Sequence, residues 1–255
     1  MSHQQIMLDP WIASVAMIKS FTTGSASQPT NTGSATGFFY KNESDVYLVT
    51  NRHVVVDERE NFYPDHLRIR VHTSNTDLLP NRDVDIPLYD GGTPFYLEHQ
   101  YGNNVDVVAI KINSYLESND FIHPWSANYF PQQNDLIELG DPVIVMGYPM
   151  AFYDKRHNLP ISRSGTLASL YGAPFDGNPY FLIDTNLHPG TSGSPVYIPR
   201  SSLRKTTLGY QIYAGTRVAP PMLLGIHSGE YSADGVKLGL DIVWYAYLIQ
   251  EIFEQ

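Results

Sequence analysis

The feature that most constrains this chain is the rhythm of its apolar residues, which come in short β-branched and aromatic runs closed by Gly, Pro, Asn or Asp. Trp11 to Ser20, Ala35 to Tyr40, Asp45 to Thr50, Leu67 to Thr73, Val105 to Ile112 and Pro142 to Tyr148 read as strands. Ser164 to Tyr171, Tyr180 to Thr185, Pro195 to Ile198, Met222 to His227 and Val236 to Leu240 continue the series. Many short strands in succession predict an all-β sandwich or barrel architecture. Only the tail departs from this. Asp241 reads as an N-cap, and Ile242, Tyr245, Leu248, Ile249 and Ile252 recur at three- and four-residue spacing, predicting a terminal helix over about 242 to 254. Asn113 to Asn134 is polar, aromatic and aperiodic, and reads as a crossing between two lobes. Leu208 to Met222, with Tyr210, Ile212 and Tyr213, reads as a long hairpin in preference to a docking loop.

At 255 residues, with 42% hydrophobic and only 16% charged residues, the chain can bury a sizeable core in one domain. No internal repeat divides it. A formal charge of −10 and a pI near 5.2 set its field against phosphate backbones and anionic bilayers, so neither nucleic acid nor membrane is an expected partner. The absence of cysteine removes disulfides, thiolate metal sites, iron–sulfur clusters and a cysteine nucleophile. The start, Met1-Ser2-His3-Gln4-Gln5, has no basic and then apolar leader pattern, and no run approaches the length of a membrane span, so a cytoplasmic location is expected. No motif implies a cofactor. HExxH is absent, and His66 and His72, which could share a strand face, lack a third ligand nearby in sequence, so no metal site is expected.

The segment Pro189-Gly190-Thr191-Ser192-Gly193-Ser194-Pro195 sets a serine among small residues just before a strand. Such a loop exposes a hydroxyl, and it can aim the N–H groups of Gly190 and Ser192 at one point, as stabilisation of an oxyanion requires. An ordinary Gly/Ser turn has the same composition, so the chemistry depends on a base. Of nine histidines, only His53 follows a strongly apolar strand, Val46 to Thr50, and opens another apolar stretch, Val54-Val55-Val56. His66, His72, His99, His123 and His157 stand in polar surroundings and are expected to be solvated. An acid must then orient the imidazole, and Asp106 heads the apolar run Val107-Val108-Ala109-Ile110, where an unpaired carboxylate would be costly.

With these residues in view, four segments resemble the trypsin-like peptidases. Thr36-Gly37-Phe38-Phe39 with Leu48 to Val55 is similar to the histidine segment of non-zymogen members, the HtrA-type and bacterial glutamyl endopeptidase groups. Asn104 to Ile110 resembles their aspartate segment, Asp184 to Val196 their serine segment, and Leu223 to Gly229 the strand lining the substrate cleft. The order His53, Asp106, Ser192 is that of the chymotrypsin fold. The resemblance implies two six-stranded antiparallel β-barrel lobes, about 11 to 118 and about 135 to 241, plus the C-terminal helix, in one peptidase domain spanning 1 to 255. It implies a serine endopeptidase with His53, Asp106 and Ser192 as catalytic triad, protein or peptide substrates, and an acyl-enzyme intermediate.

The resemblance also places Leu187, His227, Ser228 and Gly229 at the substrate pocket. His227 stands where glutamyl endopeptidases read an acidic side chain, or else is a satisfied barrel histidine bonded to a neighbouring backbone or Tyr. Leu187, five residues before Ser192, stands where they carry threonine and HtrA-type enzymes carry an apolar residue. The pocket is therefore expected to take Glu or Gln, or else small to medium apolar side chains, and Asn186 gives no acid to attract Arg or Lys. Thr191 replaces the aspartate that receives a new N-terminus in activated digestive enzymes, so regulation is expected through loops or a partner protein. A PDZ-like domain is not expected. The competing class is a catalytically idle module of the same fold that binds peptides or partner subunits.

Overall fold

The computed structural model describes residues 9–23, 30–215 and 218–255. In the first half lie β1 (Val15–Thr22), β2 (Thr30–Asn42), β3 (Asp45–Thr50), β4 (His66–His72), β5 (Asn81–Pro87), the small pair β6 (Tyr89–Asp90) and β7 (Thr93–Pro94), β8 (Tyr96–Glu98) and β9 (Val108–Lys111). In the second half lie β10 (Pro142–Gly147), β11 (Ile161–Leu167), β12 (Tyr180–Asp184), β13 (Pro195–Ile198), the hairpin β14 (Leu203–Thr206) and β15 (Gly209–Ile212), β16 (Met222–Ala233) and β17 (Val236–Tyr245), then helix α1 (Tyr247–Phe253). The second-lobe strands close a six-stranded barrel in the order β10-β11-β12-β17-β16-β13, with every ladder antiparallel. The architecture is chymotrypsin-like.

The first lobe differs from the expected closed barrel. It is a curled seven-stranded sheet in the order β5-β4-β1-β2-β3-β9-β8. β8 has only three residues, and past the end of β5 the backbone bond from Phe95 N–H to Leu88 O, at 2.8 Å, bridges the two edges. Side chains fill the opening: Ile18, Phe39, Leu48, Leu67, Ile69, Ile86 and Ile110 form one buried cluster there. β5 was hidden in the sequence because only Val84 and Ile86 of it turn inward. Its other face carries Asp83 and Asp85, each opposite an arginine of β4, with Arg70–Asp83 and Arg68–Asp85 both at 2.6 Å.

The terminal helix is shorter than expected. Ile242, Val243 and Trp244 continue β17 and pair with Leu182, Phe181 and Tyr180 of β12. The sheet edge captures residues whose three- and four-residue spacing alone favoured a helix. Asp241 is thus a strand residue and the helix N-cap is Ala246. Helix α1 buries Leu248, Ile249 and Ile252 and reaches back to the first lobe. There His99 Nε2–H donates to Glu251 at 2.8 Å, and Gln250 donates to the Tyr40 hydroxyl at 3.0 Å. His99 is therefore buried, contrary to its polar sequence surroundings, and so is His72, which donates to the His157 carbonyl at 2.8 Å. The region from Leu208 to Met222 contains a strand of a hairpin, as expected, but the hairpin begins earlier, at Leu203. Among the described residues no helix is long and apolar enough to cross a membrane.

The crossing segment is anchored by Trp125, which is fully buried. Its backbone adds to β2 through Trp125 N–H to Phe39 O and Lys41 N–H to Trp125 O, at 2.8 and 2.7 Å. Its ring packs on Trp11, 4.0 Å between centroids, and on Tyr197 of β13. Trp125→Ala removes the filler between both lobes and is expected to cost about 3–5 kcal/mol. Urea unfolding would measure this, and a loss below about 1 kcal/mol would contradict the anchoring role.

Candidate active site

β3 ends at Thr50, and the single 3-10 turn Arg52–Val54 lifts His53 into the cleft between the lobes. Three contacts fix that turn. Asn51 Nδ2–H donates to the Asp106 carbonyl at 2.8 Å, and the Arg52 guanidinium is held by Glu58 at 2.6 Å and Glu98 at 3.0 Å. Asp106 lies just before β9, in the loop that follows the turn Gly102–Asn104, and not within the strand.

The Asp106 carboxylate is half-buried and fully engaged. It accepts from His53 N–H at 2.9 Å, from His53 Nδ1–H at 2.8 Å and from Ser228 Oγ–H at 2.6 Å. Three donors offset the cost of withdrawing this charge from water. A proton on Nδ1 leaves the Nε2 lone pair free toward the cleft, the tautomer a base needs. Burial disfavours the charged ring, but the hydrogen bond and charge of Asp106 and the charge of Asp57 outweigh it, so the His53 pKa lies above its ordinary 6.5.

Ser192 shares a cavity of about 130 Å³ with His53, Ala35 and Phe62. Its hydroxyl donates to the Ser228 carbonyl at 2.8 Å, and no hydrogen bond joins it to His53. On the other side of the imidazole a groove of about 580 Å³ runs past Asp106, Arg52, Tyr180 and Trp244.

Around Ser192, three successive carbonyls are turned inward. Pro189 O accepts from Met150 N–H at 2.5 Å, and Gly190 O from Thr36 Oγ1–H at 2.9 Å. Thr191 O accepts from His227 Nδ1–H and Ser194 N–H, each at 3.0 Å. In a trans peptide the N–H opposes the C=O. Gly190 N–H and Ser192 N–H therefore face away from these anchors, and among the described residues neither has a protein acceptor. Glycine is required at two points of this loop. At Gly190, with φ +95°, a Cβ would stand 2.8 Å from Tyr148 O. At Gly193, with φ +84°, it would stand 2.0 Å from Thr36 O. Met150 and Ala151, which face Gly190, hold φ of 51° and 52°, a left-handed strain of roughly 1–3 kcal/mol per residue.

The residues expected at the substrate pocket divide. Gly229 is half-buried on β16 with open space where a side chain would project, and Leu187 is half-buried against the second-lobe core. Ser228 serves Asp106 through its hydroxyl and Ser192 through its carbonyl. His227 is only 3% exposed, with both ring nitrogens bonded inside the protein. The sequence placed Thr36, Asn51 and Arg52 only within the histidine segment and Asp241 at a helix cap, and gave none of them a role at the site. Among the described residues no cluster of three or more His, Asp, Glu or Cys side chains could hold a metal ion.

A chymotrypsin-like fold with serine, histidine and aspartate gathered at the cleft between its lobes is the architecture of the trypsin-like peptidases. Residues 35–201 match the model of the trypsin-like peptidase domain, and the chain belongs to that family. A solved structure of the HtrA-type protease AlgW with a tripeptide is similar in fold, with a TM-score of 0.53 and 15% sequence identity over 95% of this chain. This chain spans 60% of that one. No curated protein matches the chain.

The pKa of His53 sets the sign of one pH effect. An imidazole acts as a base only when neutral, so activity against any ester or amide is expected to rise with pH through a midpoint above 6.5. Asp106→Asn removes the charge and the charge-assisted hydrogen bond that do most to raise this pKa, leaving only Asp57, and should lower the midpoint as well as the rate, by roughly 10⁴-fold for the rate. A kcat/KM profile with the wild-type midpoint below 6.5 would contradict the assigned pairing.

Proposed function

We propose that the chain is a serine endopeptidase that cleaves protein or peptide substrates through an acyl-enzyme. The observation that carries this reading is the Asp106–His53 pair at the cavity that His53 shares with Ser192, in a loop where the Gly190 and Ser192 N–H groups have no acceptor among the described residues. In the proposed cycle Ser192 Oγ turns from Ser228 O to His53 Nε2, a single χ1 rotation, and attacks the scissile carbonyl as Nε2 takes its proton. The N–H groups of Gly190 and Ser192 hold the negative oxygen. His53 then gives the proton to the leaving amine, an ester remains on Ser192, and a water activated by the same nitrogen releases the acid.

Specificity is proposed to be apolar. His227 has no free ring nitrogen to offer a Glu or Gln side chain, Leu187 is aliphatic, and Asn186 gives no charge for Arg or Lys. Small to medium apolar residues are therefore the expected side chains before the scissile bond. The chain is proposed to act without N-terminal trimming, since Thr191 cannot pair with a new amino terminus. The cytoplasm is the proposed compartment, in keeping with the lack of cysteine. A catalytically idle, peptide-binding module is the second reading, and the observation in its favour is the Ser192 hydroxyl bonded to Ser228 O.

Ser192→Ala is expected to abolish hydrolysis, by at least roughly 10⁴-fold, while leaving thermal unfolding nearly unchanged. Cleavage of casein at the wild-type rate by this variant would exclude the peptidase reading. A peptide-library profile should show apolar residues before the cut, and one dominated by Arg, Lys or Glu would exclude the proposed pocket.

A further inference from the structure

His227 touches the serine loop at three points. Its ring holds Thr191 O, its N–H donates to Ser194 O at 2.9 Å, and its carbonyl accepts from Gly193 N–H at 2.8 Å. The other ring nitrogen, Nε2, lies 3.2 Å from Asp241 Oδ1 on β17, and Asp241 is itself only 5% exposed. A carbonyl oxygen can only accept, so Nδ1 carries a hydrogen. Nε2 and a carboxylate oxygen form a hydrogen bond only with one proton between them. A neutral ring protonated on Nε2 alone would satisfy Asp241 and lose Thr191; the pair with its shared proton satisfies both. Asp241 thus keeps the Nδ1–H aimed at the loop, as carboxylates do for histidines whose orientation matters.

The peptide unit between Thr191 and Ser192 is a rigid plate. Holding its carbonyl inward turns the Ser192 N–H to the opposite side of the plate. We propose that the buried His227–Asp241 pair is a positioning element that sets the Ser192 N–H as an oxyanion donor. It contacts no substrate, and it acts through Thr191. The inference rests on the peptidase reading above and adds to it the device that keeps the anion site assembled.

The test compares two double variants, both with Asp241→Asn so that no carboxylate is left buried without a partner. His227→Leu/Asp241→Asn fills similar space without a donor. His227→Asn/Asp241→Asn returns an amide N–H to about the place of Nδ1. The reaction is hydrolysis of an N-acylated leucine p-nitrophenyl ester, with kcat and KM separated and thermal unfolding recorded for each protein. The leucine variant should lose roughly 100-fold in kcat, the scale for one oxyanion donor, with KM within about threefold. The asparagine variant should stay within roughly tenfold of wild type in kcat. Equal losses in the two variants, or a loss carried by KM, would overturn the positioning role. Should the leucine variant not fold, the asparagine variant still decides, because a roughly 100-fold loss of kcat there is the overturning result. A wild-type chain inert to this ester and to a fluorophosphonate would overturn the peptidase reading and the inference with it. An active wild type with an equally active leucine variant would overturn the inference alone.

Discussion

The candidate site depends on one seam of hydrogen bonds at Thr36, a fully buried residue of β2. Its N–H donates to Ser192 O and its hydroxyl to Gly190 O, both at 2.9 Å, while the same oxygen accepts from Tyr148 N–H at 3.0 Å. Thr50 closes the set by donating to the Thr36 carbonyl at 2.8 Å. One first-lobe residue therefore grips the second lobe on both sides of the nucleophile, within one strand of the turn that carries His53. Each bond is worth only about 0.5–1.5 kcal/mol net, but a buried partner left without one costs about 1–3 kcal/mol, so the seam resists opening. Such cooperation explains why glycine is needed at Gly147 and Gly193, whose added Cβ atoms would strike Ser194 Oγ at 2.2 Å and Thr36 O at 2.0 Å.

The electrostatics follow the same logic of engaging every buried group. The chain carries ten more formal negative charges than positive ones, yet around the cleft each carboxylate that matters is held by donors. Asp106 has His53 and Ser228, Glu58 and Glu98 have Arg52, and Asp241 has His227. Arg52 pulls the Glu58 pKa down to about 2, so the brace beside His53 stays charged across the whole range in which the imidazole titrates. Two His–Asp pairs thus lie on either side of the serine loop. One faces the cleft through a free Nε2, and the other is turned into the barrel with both nitrogens bound.

Much of this was legible in the sequence because it rests on local pattern. β3 coincides with the apolar run Asp45 to Thr50, and the second-lobe strands fall where turn residues punctuate the chain. Of the three residues nominated for catalysis, His53 and Asp106 each stand at the end of an apolar run, where a chain reversal faces a cleft, and Ser192 stands in a loop of small residues just before β13. What the sequence concealed depends on partners distant along the chain. β5 is not among the strands read from the sequence, because its charged face makes sense only with the arginines that β4 sets opposite its aspartates. Ile242 to Trp244 looked helical until β12 offered a sheet edge. His72 and His99 looked solvated because their partners, His157 O and Glu251, lie 85 and 152 residues away. The resemblance offered His227 as a pocket residue or a satisfied barrel histidine, and nothing local announces Asp241 as the buried partner of its ring.

The most direct measurement is to map the site of a fluorophosphonate adduct by mass spectrometry on the full chain near pH 8. A hydroxyl becomes nucleophilic toward this reagent only when a base and an oxyanion site act on it together, so the adduct reports the assembled cleft and not the natural substrate. The account predicts one adduct per chain, carried by Ser192, and none on Ser194 or Ser228. No adduct on the folded chain, or one on a serine other than Ser192, would contradict it.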